Sequence, residues 1–479
     1  MDLSLKTKFV HSNDCEVVSP FSQTLNTSFL SVSVQAIFEL EEAIDICSVK
    51  QAIKNILLPS NPRFCNTMIQ DRHGELYWIK TEVNVDDHVV VPEFPHGQSE
   101  YDEIVNDYIG NIHLTPLAQC RPLWAFHLLN YNTSSAKATL IINMHHSLGD
   151  GITLMSLLLC CVTRADNPNL PLNFPSLKSA AHKTIPYHTW VSTEFVYYIF
   201  QRLFVLVLVI WYTVSDLISS FLRVIWMDDS KLPIRGPPGV EMLPKIMSST
   251  TFLMEDVKKI KNYVGGTVND VLMGVIFCGF QRYLQITLCQ GEMAEARKEM
   301  AKQKVTGIVA VNTRAISRLN DIKDLLKPNS QSPWGNRFGM VHIAIPVASA
   351  DSPLDFVRKA KQTMDRKKMS LEVFLTGRLL SYLGRQASAT AMYNTLANTT
   401  MVITNMIGPT DKIAINQIPV KSISFSVSGL PQTLLFTVVS YMGRIRLQVI
   451  GTKGYINTDT MTKCFNECFE EMKEATLGL

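Results

Sequence analysis

Charge is scarce in this sequence. Only 18% of its 479 residues are Asp, Glu, Lys or Arg, against about 25% in an average globular chain. With hydrophobic residues at 46%, the chain falls outside the disordered class, which combines low hydrophobicity with high net charge. Its 45 basic and 42 acidic residues leave a net charge of +3, too balanced for the electrostatic footprint of a nucleic-acid binder. The 23 glycines and 22 prolines are too few for a collagen-like or low-complexity architecture. No CxxC pair occurs among the ten cysteines, so neither a zinc ribbon nor a thioredoxin-type site has support. Cys160 and Cys161 lie in the apolar run LMSLLLCCV as small buried hydrophobes. Cys464 and Cys468 share a helical face with too long a rise between them for an easy disulfide. The opening MDLSLKTKFVHSND has no apolar core of a secretory signal, so the expectation is a cytosol-facing chain with reduced cysteines. GxSxG, the P-loop, GxGxxG and HExxH are all lacking, which leaves serine-hydrolase, NTPase, dinucleotide and zincin readings without their usual support.

What is present is a long apolar segment at mid-chain. From Phe195 to Trp226 the only charges are Arg202, Asp216 and Arg223, around the core LFVLVLVIWYTV. Leu203 to Leu222 supplies the roughly 20 apolar residues of a bilayer span, with one acid inside. Trp190, Tyr197, Tyr198 and Trp226 gather near its ends, as aromatics do at membrane interfaces. The alternative is a buried core helix or a greasy interdomain linker. Proline-rich stretches at 167–186 and 231–244 bracket the segment, and neither helices nor central strands tolerate that density. They divide the chain into an N-terminal lobe (1–166), a linker with an apolar helix at about 195–226 (167–245), and a C-terminal lobe (246–479).

Both lobes mix strand and helix periodicities. SFLSVSVQAIFEL, LWAFHLLNY and KATLIINMHH alternate as strands, while CSVKQAIKNILL and YDEIVNDYIGNIH carry helical spacing. In the second lobe NDVLMGVIFCGFQRYLQ and TDTMTKCFNECFEEMKEA read as helices. TLLFTVVSYMGRIRLQVIG reads as a hairpin turning at Met442-Gly443.

Between a strand and a buried helix stands His145-His146-Ser147-Leu148-Gly149-Asp150-Gly151. Adjacent residues leaving a strand point to opposite faces, so only one of the two histidines faces a given cavity. Gly-Asp-Gly supplies a tight turn, with Asp150 placed to cap the next helix. A histidine there is largely neutral near pH 7 and can accept a proton from a hydroxyl. A structural turn with two satisfied histidines is the competing reading. A metal at His146 and Asp150 would lack a third local ligand.

HHSLGDG matches HHxxxDG, the signature of the acyltransferase superfamily that includes nonribosomal-peptide condensation domains, plant BAHD acyltransferases and the wax ester synthase/diacylglycerol acyltransferases. Pro122-Leu123-Trp124, Asn269-Asp270 in TVNDVLMGVI, WGNRFG (334–339) and TNMIGP (404–409) resemble the plant branch of the last of these. They follow that family's motif order over nearly the whole chain. The BAHD motif DFGWG is absent, no carrier-protein partner is suggested, and TNMIGP departs from the family's SNVPGP-like form.

This resemblance implies a mixed α/β fold of two chloramphenicol-acetyltransferase-like lobes with an active-site tunnel between them. It implies an acyl-CoA-dependent O-acyltransferase that forms wax esters from long-chain fatty alcohols, with triacylglycerol from diacylglycerol as a second product. Acyl-CoA is then a co-substrate, and no bound cofactor or metal is implied. By analogy His146 takes the proton from the acceptor hydroxyl and His145 orients its neighbour. Asp150 is structural, with Arg63 in NPRF as its candidate salt-bridge partner. Asn269, Asp270, Trp124 and Gly151 are the candidate substrate-binding residues; capping for the Asn-Asp pair and packing for Trp124 are the plainer readings. Two alternatives remain, an acyltransferase for another hydroxyl acceptor and a non-catalytic lipid-binding protein of the same fold. A single bilayer crossing at 203–222 would separate the lobes, and the apolar stretch is too short for two spans. The expectation is therefore an in-plane or re-entrant contact with the endoplasmic-reticulum membrane, the active site facing the cytosol, and the plasma membrane as a further location.

Overall fold

The computed structural model describes residues 15–72, 74–175, 193–288, 302–314, 334–347 and 352–477. The later part of the first proline-rich linker lies outside these. In the N-terminal half the strands are β1 (Glu16–Val17), β2 (Ser33–Leu40), β3 (Asn66–Gln70), β4 (Leu76–Lys80), β5 (Val89–Val90), β6 (Trp124–Leu129), β7 (Ala138–His145) and β8 (Thr163–Arg164). After the apolar segment come β9 (Lys245–Leu253), β10 (Thr306–Asn312), β11 (Phe338–Ala344), β12 (Met401–Ile407), β13 (Ile413–Ile415), β14 (Ile418–Ser428), β15 (Leu434–Tyr441) and β16 (Arg444–Thr452).

Two sheets organise the molecule. The first has seven strands in the order β5-β6-β7-β2-β14-β13-β8, and the second has six in the order β11-β10-β12-β15-β16-β9. β6 is buried at every position, as befits a strand covered on both faces. In the second sheet β10, β12 and β15 run parallel and the remaining pairs antiparallel. The β15–β16 hairpin turns at Met442 and Gly443, both at positive φ (50° and 70°), the backbone a two-residue primed turn requires. Helices α1 (Gly151–Cys161), α2 (Thr193–Ile225), α3 (Val268–Leu288), α4 (Pro353–Lys368), α5 (Glu372–Tyr382), α6 (Arg385–Ala397) and α7 (Thr458–Leu477) complete the frame. The stretch CSVKQAIKNILL starts as an α-helix at Ile46–Ala52 and widens into a π-helical turn at Ile53–Leu57.

Chain position does not separate the two sheets. β13 and β14, numbered within the C-terminal lobe, join the N-terminal sheet, where β14 pairs with β2 from Ser428↔Ser33 to Val420↔Leu40. A division at 246 by sequence therefore differs from the division by sheet. The alternating pattern of ISFSV gives the reason. Ile423 and Phe425 enter the first lobe's core, and β2 offers a free edge for them to join. The cysteines also depart from expectation. Cys278 of α3 and Cys468 of α7 form a disulfide with Cα atoms 6.2 Å apart; a bridge across 190 residues has no local spacing to reveal it.

The apolar segment forms one helix, α2, with an inverted distribution of polarity. Thr213, Asp216, Ser220 and Arg223 are buried, and their 3-4-3 spacing puts them on one stripe. Asp216 meets Arg366 Nη2 at 2.7 Å and Lys367 Nζ at 2.9 Å on α4. Ser220 meets Glu372 of α5 and His342 of β11, and Arg223 pairs with Asp229 at 3.0 Å. The opposite stripe, Phe204, Val207, Trp211, Val214, Ile218 and Phe221, is exposed. Beside it α5 exposes Phe374, Leu375, Leu379 and Tyr382, extending the apolar surface.

One glycine lets the C-terminal segment pass close to the backbone just before β2. Gly429, just beyond β14, has φ +80°, and an added Cβ would overlap the Ser31 carbonyl. Substitution Gly429→Ala combines left-handed strain with a backbone clash, each costing about 1–3 kcal/mol. A fall of several degrees in the thermal unfolding midpoint is the expected outcome, and an unchanged midpoint would contradict the close approach.

Candidate active site at the lobe interface

The central loop is built from both of its ends. β7 finishes at His145, whose N–H donates to the Leu123 carbonyl at 2.9 Å, and the His146 N–H donates to the Val32 carbonyl at 2.8 Å. α1 then begins at Gly151, with Asp150 as its cap. Asp150 Oδ1 accepts from the Thr153 N–H at 3.0 Å, satisfying a donor that a helix start leaves free.

The two histidines diverge. His145 is buried between the Ser31 hydroxyl at 3.2 Å and the Ser147 hydroxyl at 2.7 Å. Burial, with a lesser push from neighbouring His146, lowers its pKa to about 3. It stays neutral at any physiological pH and faces no cavity. His146 is half-buried and faces the cleft between the lobes. Its Nδ1 lies 3.0 Å from Asn336 Oδ1, and its ring centroid is 5.1 Å from that of Phe338. Burial holds its pKa below the ordinary 6.5, opposed by Asp150, its own backbone carbonyl and Asn336. The imidazole is thus neutral at pH 7, and among the described residues no group hydrogen-bonds Nε2.

Asp150 is partnered across the interface. Its Oδ2 meets Arg314 Nη1 at 2.5 Å and accepts from the Arg337 N–H at 2.7 Å. Arg314 follows β10 by two residues, and its side chain is wholly buried. Arg63 is therefore not Asp150's partner. It sits on the turn Pro62–Cys65, where its guanidinium pairs with Glu16 and lies 5.6 Å over Trp78. The Asp150 oxygen left over from capping is taken by Arg314 and the Arg337 N–H instead. The sequence signal for Arg314 was a lone arginine closing the apolar strand VTGIVAVNTR.

Two cavities meet here. The cleft, of about 1100 Å³, is lined by His146, Asp150, Gly151, Phe338, Asn405 and Met406, among others, so both lobes contribute. An apolar chamber lies within the first lobe, walled by Phe38, Val49, Ile53, Leu140, Leu158 and Phe425, among others. The two share Val34, Gly151, Met155, Met406 and Phe425 as a common wall. Gly151 thus borders both.

The other candidate substrate-binding residues line neither cavity. Asn269 is exposed, and its Oδ1 accepts from Asn405 Nδ2 at 2.6 Å, so it supports a lining residue without lining. Asp270 is buried and caps α3 by accepting from the Thr267 N–H at 2.7 Å. Trp124 is buried in the first lobe's core, donating to the Phe64 carbonyl at 3.0 Å and stacking on His88 at 4.0 Å. It lines neither cavity, its indole being held against the turn Pro62–Cys65, His88 and Phe126.

Residues 51–272 match the family model described as the wax ester synthase/diacylglycerol acyltransferase catalytic domain, and residues 334–473 match the WS/DGAT C-terminal domain. The chain belongs to the wax ester synthase/diacylglycerol acyltransferase family. Wax ester synthase/diacylglycerol acyltransferase 3 of Arabidopsis thaliana is 31% identical over 90% of this chain and 87% of its own length. Wax ester synthase/diacylglycerol acyltransferase 1 of the same plant is 30% identical over 98% and 96%. Among solved structures, the wax ester synthase/diacylglycerol acyltransferase from Marinobacter aquaeolei VT8 superposes with a TM-score of 0.58 at 14% identity. The match covers 97% of this chain and all of that one. The first condensation domain of the CDA synthetase gives 0.52 at 12% identity, over 93% and 90%. Both share the two-lobed fold.

Removing one member of a buried ion pair strands the other, typically at about 3–5 kcal/mol. Arg314→Ala and Asp150→Ala should each destabilise by that order in denaturant unfolding. The double variant should fall short of their sum by about 1 kcal/mol or more. The same cycle between Asp150 and Arg63 should be additive; coupling there instead would restore the original pairing.

Proposed function

We propose that this chain transfers a fatty acyl group from acyl-CoA to the hydroxyl of a long-chain alcohol, forming a wax ester, and to that of diacylglycerol, forming triacylglycerol. The observation that carries this reading is the apolar chamber sharing a wall with the His146 cleft. A largely non-polar space suits an alkyl chain whose reactive end lies beside the histidine. His146 Nε2 takes the proton of the acceptor hydroxyl as the oxygen attacks the thioester carbonyl. The tetrahedral adduct then collapses, the C–S bond breaks, and His146 returns the proton to the CoA thiolate. A positioned base contributes about 10²–10⁴-fold, with alignment of two bound substrates in one cleft adding to it. The chemistry needs neither a metal nor a bound cofactor, and it involves no nucleic acid.

Water-poor substrates imply access from a membrane, and α2 with α5 offers the surface for it. The buried polar stripe ties the second half of α2 to the C-terminal lobe, while its apolar stripe faces outward. That arrangement fits a helix lying in the bilayer plane. It keeps both lobes on one side, at the cytosolic face of the endoplasmic reticulum, with the plasma membrane as a second location.

Activity, vesicle-binding and topology measurements test this. In microsomes supplied with labelled palmitoyl-CoA and hexadecanol or diacylglycerol, wild-type chain should yield ester and His146→Ala should lose it by about 10²–10⁴-fold. Because the His146 pKa is depressed, wild-type activity should hold at neutral pH and fall only as pH drops through a value below 6.5. Ester surviving in the mutant would remove His146 from the mechanism. For the membrane, Val207→Glu and Trp211→Glu should each weaken flotation with phospholipid vesicles at least tenfold. Each side chain contributes roughly 1.5–3 kcal/mol when buried, and about 1.4 kcal/mol is tenfold. Protease accessibility of epitopes on the two lobes from opposite sides of sealed microsomes would exclude the in-plane arrangement.

A further inference from the structure

We propose that Asn336 is a positioning residue that fixes His146 in the tautomer with its proton on Nδ1, leaving the Nε2 lone pair free in the cleft. The inference rests on the reading of His146 as the base.

Asn336 Nδ2 lies 2.7 Å from the His146 backbone carbonyl and 3.0 Å from the Ser22 hydroxyl. A carbonyl oxygen can only accept, so the amide nitrogen must be the atom facing it. That fixes the amide's orientation and turns Oδ1 toward the ring, 3.0 Å from His146 Nδ1. An amide oxygen likewise only accepts, so Nδ1 must carry the hydrogen. In a neutral imidazole the proton is then absent from Nε2. One side chain thus holds both the backbone and the ring of His146 and dictates which nitrogen acts.

The neighbours of Asn336 keep it there. Trp334 Nε1 donates to the Leu148 carbonyl at 2.6 Å. The Gly335 carbonyl accepts from Arg314 and lies 3.0 Å from the Thr153 hydroxyl. The Arg337 N–H reaches Asp150, and the Phe338 ring packs on His146. Five consecutive residues of WGNRFG therefore grip the segment 146–153 from the opposite lobe. The charged and titratable groups about the ring are Asp150, already engaged by Arg314, and His145, which is neutral. The ring's other acceptor is the His146 backbone carbonyl, itself held by Asn336 Nδ2, so Asn336 acts on the tautomer both directly and through that carbonyl. The logic is that of a nucleophile–base–orienter triad with a substrate hydroxyl as the first member.

The test uses the full chain in detergent micelles, labelled with 15N-histidine, with the His146 signals identified by their loss in His146→Ala. At neutral pH the wild type should show a protonated-type Nδ1 and an unprotonated-type Nε2. Asn336→Ala should show a tautomer mixture and lower kcat on the order of 10²-fold, with KM for acyl-CoA little changed. Asn336→Asp keeps an acceptor at Nδ1 and should recover most of that rate. Its carboxylate also stabilises the imidazolium, so the acidic limb of the kcat profile should move to higher pH. A protonated-type Nε2 in the wild type would overturn the proposal, as would an unchanged tautomer in Asn336→Ala. The acyl-transfer reading stands or falls separately. A wild type with the expected signals that releases no CoA with any alcohol would refute that reading and leave the tautomer assignment intact.

Discussion

A carboxylate–guanidinium pair across the lobe interface sets the geometry on which the site depends. Asp150 starts α1 with one oxygen and takes Arg314 and the Arg337 backbone with the other. The buried charges lose hydration, which offsets much of their attraction, so the pair contributes little to overall stability. It contributes register. Any slippage of β10 or of the loop before β11 would leave a charge buried alone. That asymmetry fixes where His146 sits relative to the cleft wall of the other lobe.

Polarity is distributed on the same plan elsewhere. The residues that cannot be left unpaired lie where lobes or layers meet, as with Asp216 against Arg366 and Lys367, or Arg223 against Asp229. The residues that need no partner are turned to the chamber or outward along α2. An amphipathic helix on a water-soluble protein normally does the reverse. The inversion on α2 and the apolar chamber thus follow one plan, with polar groups spent on contacts between elements and apolar ones left to the chamber and the outer face.

The sequence disclosed what is local. Strand alternation, helical spacing and the Met442-Gly443 turn are encoded within a few residues, and the main strands and helices follow them. The motif His145–Gly151 carried its own turn and its own helix cap. The partners of those residues were less legible. Asp150 meets an arginine 164 positions away, and Arg63, the nearer candidate, is taken by Glu16. Asn336 lay in a motif visible as a string, yet its side chain has meaning only beside a histidine 190 residues earlier. Trp124 shows the converse: it belongs to a motif near the site, but its indole fills the core. Spacing along one chain reports faces of elements, and it does not report which faces meet.

The late return of β13 and β14 to the first sheet has a consequence for how the chain assembles. Gln35 of β2 bonds Ser428 across 393 residues, so the N-terminal sheet lacks an interior strand until nearly all of the protein has been made. During synthesis the open edge of β2 stands unpaired, a surface prone to wrong partners. Contacts of such sequence separation also form slowly. The helix α2 meanwhile leaves the ribosome with its polar stripe still uncovered, since α4 and α5 follow it by more than a hundred residues. The first lobe therefore matures only at the end, and a cut between the lobes would take β13 and β14 from its sheet.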